Sequence, residues 1–292
     1  MSKRLVWCDW SAIEARMAPW LAWGCTPQAD ESILRLLGMF ERGEDVYLSC
    51  ASDIAGEPVT DKNDPRRQSL GKVPVLSLGF LGGIGALNAM ARNYGVSMFP
   101  EHEGKQIVAR WREANPWAQA FGAALERAAF NAIGEPGKFF PAGRCTVVYH
   151  GGLFGGSLLV FLPCGRPLVY PTMRIETVER FEGQPEPTLV YTHATYGRTA
   201  LWRGAMIENC TQGAAASILR EKLVRLEDDT SLAWTVAHTH DEIVQECEAR
   251  HAETAAARLK AEMERVPGWA AGLPLDAEAG SGYRYYAEGS EE

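Results

Sequence analysis

The sequence predicts an α+β protein, and three observations predict it. Two apolar runs far apart in the chain, residues 5–8 and 232–237, read as buried strands, and each leads to an acid, Asp9 in one case and Asp241 in the other. Between them lie long helical patterns and then, over residues 140–200, alternating Pro, Gly and β-branched residues that read as hairpins. The order strand, helices, hairpins, helix, hairpin, helix lacks the regular βαβ alternation of a doubly wound sheet.

After Asp9, residues 13–23 form an apolar helix with Ser11 as N-cap and Glu14 three residues on, the pattern of a capping box. Helices over 31–40 and 46–55 follow, the second closed by Gly56 and Pro58. Asp64-Pro65 opens the next helix, with an acid at the N-cap and proline at the first helical position. That helix runs to about Gly79 and Pro74 interrupts it, since an interior proline costs about 3 kcal/mol. Helices over 84–94, ended by Gly95, and over 101–131 precede the hairpins. A long helix over 201–226, a strand–turn–strand around 240–241 and a helix over 250–265 complete the chain.

With 292 residues, 46% hydrophobic and 23% charged, the chain holds a substantial core, as one large domain or two lobes. No apolar stretch approaches the roughly 20 residues that span a bilayer. Lys3 and Arg4 are not followed by a signal-peptide core. Seven cysteines, scattered and never in a C-x-x-C pair, suit free thiols in a reducing compartment, so a cytoplasmic location without a membrane partner is expected. The net charge of −8 argues against a uniformly basic nucleic-acid binder. It leaves room for an enzyme whose acids hold metal and whose bases gather locally, as Arg66, Arg67, Lys72 and Arg92 do. Acids collect instead at Glu41, Glu44 and Asp45 and in a tail with Asp276, Glu278, Glu288, Glu291 and Glu292.

Asp9 and His240-Asp241-Glu242 carry the chemistry. Two acids at strand ends can converge on divalent metal ions, and two such ions can clamp the attacking and leaving oxygens of a phosphoryl transfer. A lone His-Asp-Glu turn is more often a solvated hairpin tip, but this one is bounded by apolar strands and coupled to Asp9. His238-x-His240-Asp241 also admits a second reading, the H-x-H-x-D cluster of metallo-β-lactamase-like hydrolases, although here the acid directly follows the second histidine.

Asp9-Trp10-Ser11-Ala12-Ile13-Glu14-Ala15-Arg16 resembles motif A of the family A (polymerase I-like) DNA polymerases, D-Y-S-Q-I-E-L-R, and the match continues to Ala22 as in phage members. The resemblance implies a right-hand palm, an antiparallel sheet with flanking helices, plus helical fingers. It implies that Asp9 and the Trp10 backbone carbonyl bind metal and that Glu14 lies beneath the incoming sugar and excludes a 2′-hydroxyl. The helix from Pro65 resembles motif B, with Lys72, Leu76 and Phe80 spaced to share one face. By resemblance Lys72 contacts the triphosphate, Leu76 the sugar and Phe80 the templating base. Taken alone, that helix reads more readily as amphipathic with one snorkelling lysine. Gly43-Glu44-Asp45-Val46-Tyr47 resembles the family's E-D-I-H and puts Tyr47 where a phosphate-contacting histidine often stands. Ala237-His238-Thr239-His240-Asp241-Glu242 resembles motif C, which makes Asp241 the second metal carboxylate, with His240 and Glu242 near the primer terminus. Glu208-Asn209-Cys210-Thr211-Gln212 is similar to the E-N-x-x-Q of phage members, whose Asn209 and Gln212 equivalents read the minor-groove edge of the primer–template. Residues 162–171 and 269–274 are also similar to phage polymerases, with no chemistry attached.

The chain departs from the pattern where the family's arginine stands four residues before the lysine: Gln68 is there, and Arg67 lies five before Lys72. Either an irregular turn brings Arg67 or Arg66 round, or the triphosphate contact is weakened. The resemblance divides the chain into palm, 1–25 and 198–292, and fingers, 26–197, the hairpin-rich segment covering about 140–197. It implies template-directed addition of dNTPs to a primer 3′ end with two Mg²⁺ ions, for which Mn²⁺ can substitute. The implied partners are primer–template DNA, dNTPs and a separate polypeptide supplying thumb and exonuclease-like domain, since only eight residues precede Asp9. The implied setting is a bacterial cytoplasm, that of a phage-infected host included. A non-catalytic primer–template-binding subunit is the alternative within the same fold.

Overall fold

A computed structural model describes residues 2–179 and 185–285. The acidic Glu288, Glu291 and Glu292 lie outside the described residues. Strand β1 (Lys3–Trp10) leads into helices α1 (Ile13–Leu21), α2 (Pro27–Glu41) and α3 (Val46–Ala55). A π-helix (Arg67–Lys72) then runs directly into α4 (Val73–Leu78), followed by α5 (Ile84–Asn93), α6 (Glu101–Ala114) and α7 (Pro116–Gly134). Strands β2 (Phe139–Ala142), β3 (Cys145–His150), β4 (Ser157–Phe161), β5 (Pro167–Pro171), β6 (Arg174–Glu179), β7 (Pro185–His193) and β8 (Gly197–Leu201) form the hairpin region. Helix α8 (Arg203–Glu227), β9 (Ala233–His238), β10 (Glu242–Glu248), α9 (Ala252–Glu264) and β11 (Ala277–Gly282) follow.

The chain divides into two compact units, one of residues 1–17 and 212–292, the other of residues 18–211, with the divisions falling inside α1 and α8. In the first unit a four-stranded antiparallel sheet has the order β11-β1-β10-β9. Alternation along β1 buries Val6, Cys8 and Trp10 on one face. Helix α9 packs on β1 and β11, contributing buried Leu259 and Met263. In the second unit the π-helix packs against α3 and α4, and two antiparallel sheets, β2-β3-β4-β5 and β6-β7-β8, carry the hairpins; α7 covers the first of them.

Several local expectations are corrected. The helix expected over 101–131 is two helices, because Pro116 lacks an N–H and holds Asn115 out of the helical region, at φ −126° and ψ 58°. Pro74 does not interrupt its helix: it falls in the first turn of α4, where the missing N–H is not needed, while the N–H of Val73 closes the π-helix on the Gln68 carbonyl. The capping box at Ser11 is also replaced. Ala12, at φ 51°, is the residue before α1, and the Ser11 N–H goes to the Asp276 carbonyl at 2.9 Å. β11 was not expected at all, since Ala-Glu-Ala-Gly-Ser-Gly has little strand propensity.

Candidate active site

Asp9 and Trp10 end β1 in the middle of the sheet. Asp9 stands opposite Glu242 on β10 and opposite Glu278 on β11. Side chains directly opposite on antiparallel strands share a face with Cβ atoms about 5 Å apart, so three carboxylates line up across three strands. Asp241 closes the β9–β10 turn beside them: its carbonyl accepts the Trp10 N–H at 3.1 Å, and its carboxylate receives the Thr239 hydroxyl at 3.1 Å and lies 3.3 Å from Nε2 of His240. The structure thus brings Asp9, the Trp10 backbone, His240, Asp241 and Glu242 to one sheet end.

The backbone after Asp9 is fixed from several sides. The Trp10 indole donates to the Met263 carbonyl at 2.8 Å. Buried Arg16 donates to the carbonyls of Ser11 at 2.7 Å and Pro274 at 3.1 Å and to the Asp276 carboxylate at 3.3 Å. That clamp holds the left-handed Ala12, a conformation an L-residue adopts only when its surroundings enforce it. Gln212 donates to the Glu14 carboxylate at 3.1 Å, so these two candidates also meet.

Burial raises the pKa of Glu242, and the negative charges of Asp9 and Asp241 push it the same way, while a 2.8 Å hydrogen bond from the Tyr285 hydroxyl opposes them. Burial, helped by Asp9, Glu264 and Glu242 and opposed by Lys260, pushes the Cys8 thiol up to about 12, which makes it inert. Negative charge gathered at one sheet end is charge that a bound cation would relieve. Among the described residues no three His, Cys, Asp or Glu side chains form a ready metal cluster. Two carboxylates with a backbone carbonyl suit Mg²⁺, which keeps most of its ligands as water and substrate oxygens.

The other nucleotide-binding candidates, Tyr47, Arg67, Lys72, Leu76 and Phe80, lie in the second unit. A π-helix closes through i→i+5 hydrogen bonds, so Arg67 and Lys72, five apart, stand one turn from each other. The backbone here is thus irregular, with the extra residue of the turn falling between Arg67 and Lys72. Arg67 donates to Asp45 at 2.8 Å and lies over the Tyr47 ring at 5.3 Å, whereas Arg66 is engaged by Asp64 and Glu57. Nζ of Lys72 sits 4.7 Å from the centre of the Tyr94 ring. Leu76 lies within α4, but the helix ends at Leu78 and Phe80 lies in the turn beyond it, so helical spacing does not extend to Phe80. Asn209 donates to the Tyr170 hydroxyl at 3.1 Å. Sequence reasoning missed Glu278 and Tyr285 as neighbours of the acids; neither sits in a patterned segment, and only the pairing of β11 with β1 reveals the first and the hydrogen bond to Glu242 the second.

No family model matches the sequence. The chain is 34% identical over 280 residues to a curated protein of Bacillus phage SP02 described as a DNA polymerase, a match covering 92% of this chain and 39% of that protein. A solved structure described as the POL domain of Pol1 from M. smegmatis in complex with DNA primer-template and dNTP superposes with a TM-score of 0.57 at 16% identity, covering 96% of this chain and 39% of the other. That likeness carries the fold, and the α+β class with it. The chain spans about two-fifths of the length of each.

Proposed function

We infer that this chain, a relative of the family A DNA polymerases over nearly its whole length, carries out template-directed DNA synthesis, adding dNTPs to a primer 3′ end. The observation that carries this reading is the approach of Asp241 to the end of β1, where the Trp10 N–H meets the Asp241 carbonyl. Two residues more than two hundred positions apart in the chain thereby become one carboxylate site.

Residues 1–25 and 198–292 are assigned to the palm and 26–197 to the fingers. Asp9, Asp241 and the Trp10 carbonyl would hold the metal ions, Mg²⁺ or in its place Mn²⁺. When bound, those ions supply charge that activates the primer 3′-oxygen and stabilises the pyrophosphate leaving group. The chain's own residues do the rest. Lys72 and Arg67, one π-turn apart, take the triphosphate, with Tyr47 beside Arg67. Leu76 and Phe80 offer apolar shape to the sugar and the templating base. Glu14, oriented by Gln212, fills the space beneath the incoming sugar and so excludes a 2′-hydroxyl. Asn209 and Gln212 contact the primer–template, and His240 and Glu242 flank the primer terminus.

Grip on the duplex comes from contacts with many phosphates, and a chain of net charge −8 has few to give. We therefore assign the thumb and proofreading functions to a separate polypeptide acting with this one in the bacterial cytoplasm, that of a phage-infected host included. Primer extension by the chain alone at low and moderate salt tests this part; robust processive synthesis without a partner contradicts it. The catalytic assignment is tested by Asp241→Ala, which is expected to abolish single-nucleotide incorporation while DNA binding persists. Incorporation equal to that of the wild type would sink it.

A further inference from the structure

The hairpin region takes no part in the reaction just described, yet it carries a built aromatic surface. From the donor Asn209, contacts climb outward ring by ring. Tyr170, which accepts from Asn209, packs edge-on against Tyr191 at 5.1 Å and 87°. Tyr191 meets His193 at 6.2 Å, and His193 stacks on Tyr196 at 4.8 Å with only 22° between the planes. Tyr170 is 4% exposed and Tyr196 78%. The series therefore runs from the core to open solvent.

The outer pair is held by its own turn. Nδ1 of His193 accepts the N–H of Thr195 at 3.1 Å and of Tyr196 at 3.3 Å. Rotating the imidazole away would free two backbone donors, so the stack is fixed before anything binds. Gly197, at φ 66°, closes the turn and begins β8. With its rear face covered by His193, Tyr196 offers one flat ring face to solvent. A single ordered ring is too small for a protein interface, which needs a contiguous patch, but it matches a nucleobase, whose π-face stacks on an aromatic side chain whatever the sequence. On the same hairpins Arg174 and Arg198 share the carboxylate of Glu176.

We propose that Tyr196, backed by His193, is a stacking platform for an unpaired base of single-stranded DNA. The platform is independent of the carboxylate site: it needs neither the metal nor the nucleotide.

The test is fluorescence anisotropy of a labelled oligothymidylate with the full chain, next to a blunt duplex of the same length. Tyr196→Ala is expected to weaken oligothymidylate binding by roughly 5- to 100-fold, the range that loss of one stacked base gives. Tyr196→Phe and Tyr196→Trp retain the affinity, and duplex binding is unchanged in all three. Because the Tyr196 ring is exposed, thermal melts of the variants should overlay the wild type. Oligothymidylate binding by Tyr196→Ala as tight as that of the wild type overturns the proposal, as does failure of the wild type to bind the probe at low salt. Asp241→Ala, run alongside, separates the two conclusions: loss of its incorporation with unchanged oligothymidylate binding leaves the platform standing whatever becomes of the polymerase assignment.

Discussion

Gly71, next to Lys72 in the π-helix, has no room for a side chain. A Cβ at that position would lie 2.2 Å from the carbonyl oxygen of Tyr47 and 2.8 Å from its carbon, against about 3.5 Å for an ordinary contact. The obstacle is backbone, so Gly71→Ala must drive α3 and the π-helix apart by about an ångström. α3 is not free to yield. Asp45 caps it by accepting the N–H groups of Tyr47 at 3.0 Å and Leu48 at 3.2 Å, and its other oxygen holds Arg67 at 2.8 Å. Overpacking of this kind costs about 1–3 kcal/mol or more. Replacing a helical glycine by alanine, free of any clash, gains up to about 1 kcal/mol. The two effects have opposite signs, which makes the experiment decisive. Urea unfolding of Gly71→Ala should show a net loss of about 2 kcal/mol. Gly85→Ala on α5, where nothing lies within 4 Å of the new Cβ, should gain up to about 1 kcal/mol. Displacing the Arg67–Lys72 turn should also raise KM for dNTP more than it lowers kcat. A Gly71→Ala protein as stable as the wild type, or stabilised like Gly85→Ala, would refute the close approach.

Two further outcomes are expected. Mg²⁺ should raise the unfolding free energy of the wild type by about 2.7 kcal/mol at a hundredfold excess over its Kd and leave Asp9→Asn unmoved, with a chelator reversing the gain; an equal rise in both proteins removes Asp9 from the metal site. Burial holds the pKa of Lys222 below its ordinary 10.5, with Glu262 opposing. The unfolded chain therefore binds more protons between the lowered value and 10.5, and stability rises with pH across that window. The difference between wild type and Lys222→Met in urea melts should grow in favour of the wild type toward alkaline pH, and parallel profiles would show that Lys222 contributes no such slope.

Much of the local structure was legible because its causes are local. α3 begins after Asp45 and ends at Gly56, as its cap residues dictate, with the Asp45 side chain accepting two N–H groups and Gly56 at φ 76°. The β9–β10 hairpin around Asp241 followed from two apolar runs and a polar turn. Pro116 is an equally local cause, and the break between α6 and α7 is its result. The π-helix was harder. Nothing in Arg67-Gln68-Ser69-Leu70-Gly71-Lys72 marks a wide turn, and only the packing of Gly71 against Tyr47 shows where the extra residue goes.

By itself the sequence determined the α+β class, most helix ends and the identity of the acids, because periodicity, caps and breakers act within a few residues. Tertiary structure decided the partners. It paired a glycine-rich segment with β1, where Gly280 leaves room for the Trp7 ring and Glu278 joins the row of Asp9 and Glu242. It laid the Tyr285 hydroxyl on Glu242, and it stacked Tyr196 on a series of rings rooted at Asn209. Strand register and ring contacts of this kind are set by burial and hydrogen bonding among residues brought together only when the chain closes on itself, so no local pattern announces them.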